Sequence, residues 1–326
     1  MTKTDRLKAT LAGEEADRPP VALWRHFPVD DQDAETLAEA VLAFQRDCDF
    51  DLIKVTPASS YSVSDWGVKD EWRGTPEGTR DYVGLVVEEP EDWRSLSPLD
   101  PSGGELGAHL KCLEAVQREA GSEVPVLPTI FSPLVQAKHL AGQEKLLEHL
   151  HKSPADVVAG LETITRTTIA FVDAARRLGI AGIFYAVQHA TYGLFDRESY
   201  RRYGEMFDRR ILEAAGGLWL NMLHLHGDAP IFDLAREYPV QVVNWHDRRT
   251  APDLALGKRL VRGAVCGGLR RWETLVLRDP EAVRAEAAEA IRAVDGRGLI
   301  LGAGCVVPIV APRSNLKAAR AAAECA

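Results

Sequence analysis

Eight short apolar runs, each bounded by Gly, Pro or Asp, alternate along this chain with stretches of helical periodicity. The runs cover residues 21–27, 50–57, 124–131, 180–187, 218–225, 240–245, 260–266 and 299–302. Strands buried on both faces carry continuous apolar runs of this kind, and parallel pairing requires a crossover between them. Helical patterns fill the gaps at 33–47, 153–178, 197–215 and 281–294, and a shorter amphipathic helix is expected at 4–11. Ser153-Pro154 and Asp279-Pro280 read as cap and first-turn pairs. Eight strand–helix alternations predict a single closed (β/α)₈ barrel. A doubly wound sheet is the runner-up. It is weakened because no GxGxxG or GxxxxGK[ST] loop follows an early strand.

The longest connection, residues 58–123, follows the second strand. It holds Trp66, Trp72, Trp93 and an expected helix at 107–119, and reads as a lid over the barrel mouth or a dimerisation surface. The alanine-rich segment 317–326 reads as the last helix, and the whole chain as one domain.

Composition narrows the class. A net charge of −9 with no long basic block argues against a nucleic-acid partner. Five scattered cysteines without a CxxC pair fit a reducing compartment. No apolar run is long enough to span a bilayer, and the charged N-terminus has no signal-type core, so a cytoplasmic enzyme acting on a small molecule is expected.

Chemistry-bearing residues gather where the strands end. His224-Leu225-His226-Gly227 closes the fifth run, and period two points both imidazoles to one face before Gly227 turns the chain away. Gly304-Cys305 closes the eighth. Two nitrogens and a sulfur are a three-ligand set for Zn²⁺ with one position open. The plainer alternative is two histidines bonded to neighbouring loops and a small buried cysteine. Other candidates share the same rim. Arg25 is suited to a substrate carboxylate or phosphate, or to a rim salt bridge. Lys54 and His189 are candidate acid–base groups. Trp24, Tyr61, Thr129, Gln188 and Asn244 are candidate substrate contacts, with lid packing an equal explanation for Tyr61. His246-Asp247-Arg248-Arg249 reads as a solvated charged loop. No GxSxG elbow or HExxH helix is present.

Several segments together resemble the uroporphyrinogen decarboxylase superfamily over most of the chain. They are Asp17-Arg18-Pro19-Pro20-Val21, Pro128-Thr129-Ile130-Phe131-Ser132-Pro133, and Gly304-Cys305-Val306-Val307-Pro308 followed by Pro312-Arg313-Ser314-Asn315-Leu316. The resemblance implies a single (β/α)₈ barrel. Arg25 matches the first of the two substrate-binding arginines of true uroporphyrinogen decarboxylases. Val29 stands at the second, Thr56-Pro57-Ala58-Ser59-Ser60 lacks their aspartate, and Cys305 replaces their C-terminal histidine.

The resemblance is nearer to the zinc-dependent methyltransferase branch, whose signature is HxC with a distant Cys. His224 and Cys305 match it, and His226 stands in place of the first cysteine. This implies Zn²⁺ on His224, His226 and Cys305, and methyl transfer from a methylated corrinoid, presented by a partner protein, to a thiol-type acceptor. It leaves a homodimer open. Two alternatives remain. One is a metal-free decarboxylase with Arg25 on a carboxylate and Lys54, His189 or His226 stabilising or protonating the intermediate. The other is a non-enzymatic corrinoid- or metal-binding accessory protein.

Overall fold

The computed structural model describes residues 1–325. The eight expected strands form a nearly closed parallel barrel ringed by helices. In chain order they are β1 (Val21–Ala22), β2 (Ile53–Val55), β5 (Val126–Phe131), β6 (Phe184–Val187), β7 (Met222–Leu225), β8 (Val242–Trp245), β9 (Ala264–Leu269) and β10 (Leu299–Ala303), with β3 (Lys69–Glu71) and β4 (Asp81–Gly84) lying in the insertion. Neighbours run β1-β10-β9-β8-β7-β6-β5-β2, all parallel. Every residue of the eight barrel strands is buried.

β1 and β2 share no ladder. One backbone bond spans their seam, from Asp51 N–H to the Val21 carbonyl at 2.8 Å. The Asp17-Arg18-Pro19-Pro20 opening explains how the seam holds. Asp51 is fully buried and accepts from Arg6, Arg18 and the Val21 amide at 2.7 Å each. Asp17 clamps the other edge of Arg6 at 2.7 Å. A buried carboxylate is tolerated only when paired this fully.

Of the two expected caps, Asp279 forms and Ser153 does not, and Asp33 caps a further helix. Asp33 and Asp279 cap Ala34–Cys48 and Pro280–Ala293 through the Thr36 and Ala282 amides. Ser153 makes no side-chain cap, because its backbone already closes the preceding helix, Gln143–Lys152. The expected helix 197–215 is broken by a π turn at Arg201–Glu205. There Tyr200 lays its ring where a Cβ on Gly204 would stand, at 2.5 Å. The final helix starts earlier than expected, at Arg313, and Ala326 lies outside the described residues.

The insertion holds the helix Gly104–Ala120 and an antiparallel hairpin, β3–β4, that the sequence pattern did not reveal. The hairpin tip reaches the C-terminal ends of the barrel strands. Pro76 carbonyl accepts from Ile309 N–H at 2.8 Å, and Glu77 accepts from Arg271 and from Trp272 Nε1. Arg80 donates to the Pro28 carbonyl at 2.8 Å and to Asp70 at 2.7 Å. A Cβ on Gly78 would stand 2.6 Å from His26 Cβ, so the tip lies directly on the mouth.

Candidate metal centre at the barrel mouth

His224 sits inside β7, in register with Asn244 of β8, and that pairing orders the site. The Asn244 amide donates to the carbonyls of Cys266 at 2.8 Å and Ala303 at 3.0 Å. Its oxygen is therefore left to accept, and His224 Nδ1 lies 2.7 Å away. This makes Nδ1 the protonated nitrogen and leaves the Nε2 lone pair free. Nε2 points at Cys305 Sγ, 3.6 Å distant. His226 Nδ1 lies 3.7 Å from the same sulfur, and His246 Nε2 lies 3.3 Å from His226 Nδ1.

Gly304 brings the thiol to this point. A Cβ there would stand 2.7 Å from His246 Cα and from the Trp245 carbonyl. Only a residue without a side chain lets the end of β10 pass this close to the end of β8. Gly227, at φ 98°, turns the chain away after the second histidine, as its position suggested.

One ligand atom from each of His224, His226, His246 and Cys305 lies within 4.8 Å of all the others. A tetrahedral ion with bonds of about 2.3 Å to sulfur and about 2.0 Å to nitrogen holds such donors about 3.5 Å (S···N) and about 3.3 Å (N···N) apart. Three of the six separations, 3.6, 3.7 and 3.3 Å, are close to that spacing and the others stay within 4.8 Å, so the donor types and their convergence fit zinc. Burial lowers the His224 pKa and favours the neutral, ligating imidazole. Burial opposes ionisation of Cys305, but His224, with hydrogen bonds from His226 and His246, outweighs it and holds the thiol well below its ordinary range.

His246 corrects the sequence reading. It is part of the cluster and not of a solvated loop. The residues after it are also engaged: buried Asp247 accepts from Gly268 N–H at 3.0 Å, and Arg248 donates to the Gly268 carbonyl at 2.8 Å. The missed signal was the period-two step from Asn244 over Trp245 to His246.

The remaining candidates divide. Lys54 and Trp24 lie beside the cluster around Phe184, whose ring stacks on His224 with centroids 5.2 Å apart. Lys54 Nζ lies 4.7 Å from the centre of the Phe184 ring, and Trp24 meets its edge at 5.1 Å. His26 joins them under the hairpin tip, and burial with the Lys54 charge pushes its pKa down to about 3.

Asn244 orients His224, a role different from the expected substrate contact. Arg25 makes no rim salt bridge among the described residues. Its guanidinium stands over Phe27 and Phe44 at 5.1 and 5.2 Å and donates to the Ile309 carbonyl at 3.3 Å. His189 lies near His226 but bonds Gln143 at 3.0 Å, and Gln188 faces Lys138 at 3.5 Å. Thr129 spends its hydroxyl on the Val55 carbonyl at 2.7 Å, and Tyr61 spends its own on the Thr129 carbonyl at 2.6 Å. Tyr61 packs between His109, Phe131 and Phe171, which is lid packing.

Comparison with known proteins bears on this geometry. The family model described as uroporphyrinogen decarboxylase (URO-D) matches residues 2–325. A relative from Methanosarcina acetivorans, methylcobamide:CoM methyltransferase MtbA, is 24% identical, over 97% of this chain and 96% of its own length. A methylated-thiol–coenzyme M methyltransferase from Methanosarcina mazei is 22% identical, over 70% of this chain and 65% of its own. Among solved structures, a methyltransferase from Methanosarcina mazei superposes with a TM-score of 0.86 at 20% identity, over 99% of this chain and 98% of that one. A B12-independent methionine synthase from a Shewanella species, in complex with selenomethionine, gives 0.61 at 12% identity, over 94% and 93%. These two likenesses show the barrel fold.

Proposed function

We propose that this chain, which belongs to the uroporphyrinogen decarboxylase family, is an enzyme that transfers a methyl group from a methylated corrinoid to a thiol-type acceptor at a zinc centre. The observation that carries this reading is the convergence of His224, His226, His246 and Cys305 at one point of the mouth. The relatives named as corrinoid-dependent methyltransferases supply the reaction class.

His224, His226 and Cys305 are the expected ligands, as the HxH and GC pieces suggested. Bound there, Zn²⁺ supplies Lewis acidity that keeps an acceptor thiol ionised at neutral pH. The chain's residues do the rest. Asn244 fixes the tautomer of His224 through two backbone carbonyls. Phe184 walls one side of that imidazole, and the hairpin tip limits water at the mouth. The acceptor sulfur forms its bond to the methyl carbon as the donor's bond to that carbon breaks, with the electron pair leaving on the donor. No external oxidant or reductant enters. The corrinoid donor would be presented by a separate protein at the mouth. Homodimerisation and the one-domain organisation belong to the same proposal. Among the described residues, no helix is long and apolar enough to cross a membrane.

The decisive experiment measures metal content and methyl transfer together. Protein purified without chelators or a histidine tag is expected to hold about one zinc per chain. It is expected to methylate a small thiol when given methylcobalamin, and Cys305→Ser is expected to lose both. Full zinc retention in Cys305→Ser would remove Cys305 from the ligand set. Zinc-loaded wild type that never methylates a thiol would overturn the reaction.

A further inference from the structure

Outside the barrel, a cleft of about 760 Å³ lies between the helices Ala34–Cys48 and Gly104–Ala120. A second space of about 350 Å³ shares Asp31, Gln32, Tyr61 and Glu105 with it. None of the four metal-cluster residues lines either one. The floor of the cleft is apolar and buried, with Leu37, Ala38, Leu42 and Cys112. Its rim is acidic: seven carboxylates and three basic side chains line it.

The acids at the shared end are short of counter-charge. Asp31 is 8% exposed; its Oδ1 accepts from Gln32 Nε2 at 2.7 Å and from Arg80 at 3.3 Å, while its Oδ2 has no partner. Arg80 also donates to Asp70 at 2.7 Å, and the second oxygen of Asp70 is again unpaired. One guanidinium thus serves two carboxylates. Glu105 adds a third, and burial, then the charges of Asp65 and Asp70, raise its pKa. Burial pushes the Asp31 carboxyl up to about 6. Carboxylates shifted upward in this way want a cation beside them.

His109 is an independent sign of a missing ligand. It lines the cleft one helical turn on from Glu105, on the same face of the helix, and is 4% exposed. Its ring packs on Tyr61 with centroids 4.6 Å apart and stacks on Phe171 at 5.7 Å, and neither of its nitrogens has a partner. Burial, with the Lys54 charge, pushes its pKa down to about 3, so the ring is neutral and keeps a lone pair to offer. The shared end therefore holds buried acceptors of two kinds, carboxylate and imidazole, and lacks donors.

We infer that this cleft binds a linear aliphatic polyamine, with one terminal ammonium among Asp31, Glu105 and His109, its methylenes on Leu37 and Leu42, and its further ammonium groups toward the rim carboxylates Glu39 and Glu114. Gln32 is the side chain that gives way, since it is exposed and its amide bonds only Asp31 among the described residues. A bare divalent ion fits less well. Such an ion needs several oxygens close together, and among the described residues only the mouth cluster gathers three ligand atoms that tightly. The apolar floor also favours methylenes over a hydrated ion. No part of this inference rests on the proposed methyl transfer.

The test is titration calorimetry of the full-length protein with spermidine, n-hexylamine and magnesium chloride at one ionic strength. Spermidine is expected to bind at about one per chain and about tenfold or more tightly than n-hexylamine, as added charge-assisted bonds warrant, with Mg²⁺ weaker than either. Asp31→Asn and Glu105→Gln are each expected to weaken spermidine about fivefold or more. Glu105 takes no part in the Arg80 clasp, so a folding defect in Asp31→Asn leaves Glu105→Gln to decide. Glu281→Gln removes another exposed first-turn glutamate, outside both spaces, and is expected to leave the affinity within about twofold. Chelator-treated protein is expected to bind spermidine as tightly as zinc-loaded protein. Mg²⁺ binding as tightly as spermidine, or an affinity unchanged in Glu105→Gln, would reduce the cleft to a diffuse acidic surface and overturn the site. Binding lost with the metal would place the amine at the barrel mouth and overturn it as well.

Discussion

Two clusters of buried polar side chains in this barrel are built on opposite rules. In the helical layer outside β6, Asp208 is fully buried and receives three phenols: Tyr185 at 2.6 Å, Tyr200 at 2.6 Å and Tyr238 at 2.7 Å. Donors meet acceptors, and both carboxylate oxygens are used. At the mouth, groups that ligate metals meet one another. His226 Nδ1 faces both the Cys305 sulfur and His246 Nε2, and His224 Nε2 faces the same sulfur. Of these groups only His224 has a fixed tautomer, and its Nε2 turns a lone pair toward the sulfur. The first arrangement is complete and ties a helix to the barrel. The second becomes complete with a cation at its centre. The difference between structural and functional polar clusters here lies in which groups are brought together, not in burial.

Removing one member of each cluster should therefore give opposite outcomes. Cys305→Ser is expected to show the larger effect, losing nearly all bound zinc and thiol methylation while its fold persists by circular dichroism. Asp208→Ala is expected to keep about one zinc per folded chain but lose on the order of 3–5 kcal/mol in urea unfolding, since three buried hydroxyls lose their acceptor. If Asp208→Ala instead lost zinc at unchanged stability, the distinction between the two clusters would fail.

The mouth cluster was partly legible in the sequence, and the reason is geometric. Period two along β7 put His224 and His226 on one face, and their ring centroids are 5.5 Å apart. The same period put Asn244 and His246 on one face of β8, but the acids and bases following His246 looked like a solvated turn. Their actual partners, the Gly268 backbone and Glu289, are long-range and have no local signature. The eight barrel strands were legible because burial on both faces forces apolar runs. The β3–β4 hairpin was not, because Lys69–Glu71 and Asp81–Gly84 are polar and half-exposed, with no apolar alternation to mark them. Thr129 and Tyr61 looked available for substrate because sequence does not show where a hydroxyl is already spent.

The role given to Asn244 can be separated from that of a ligand. Asn244→Leu keeps the branched shape at the His224–Asn244 pair and removes the acceptor that fixes the tautomer. The expected loss is about 10–100-fold in zinc affinity, the range for partners that orient a ligating histidine. Competition with a chromophoric chelator would measure it. An affinity equal to wild type would mean that packing against Phe184 alone orients His224.

The smallest expected effect concerns access. Glu77 clasps the hairpin tip to Arg271 and Trp272, which follow β9, while the Pro76 carbonyl accepts from Ile309 beyond β10. Among the described residues, Glu77 makes no hydrogen bond or ion pair to the four metal-cluster residues. Glu77→Gln keeps the shape and removes the charge, leaving one neutral acceptor for two donors. A charge-assisted bond gives way to ordinary ones, a loss of about 1 kcal/mol from the closed arrangement. That corresponds to roughly fivefold more of the open form. Alkylation of Cys305 by iodoacetamide in metal-free protein reads this population directly. It is expected to accelerate several-fold in Glu77→Gln, while zinc affinity stays within twofold of wild type. If the alkylation rate does not change, the tip is not what controls entry. The comparison between the two clusters would stand, and the route to the histidines would have to be sought on the other side of the mouth, past Gln188 and His189.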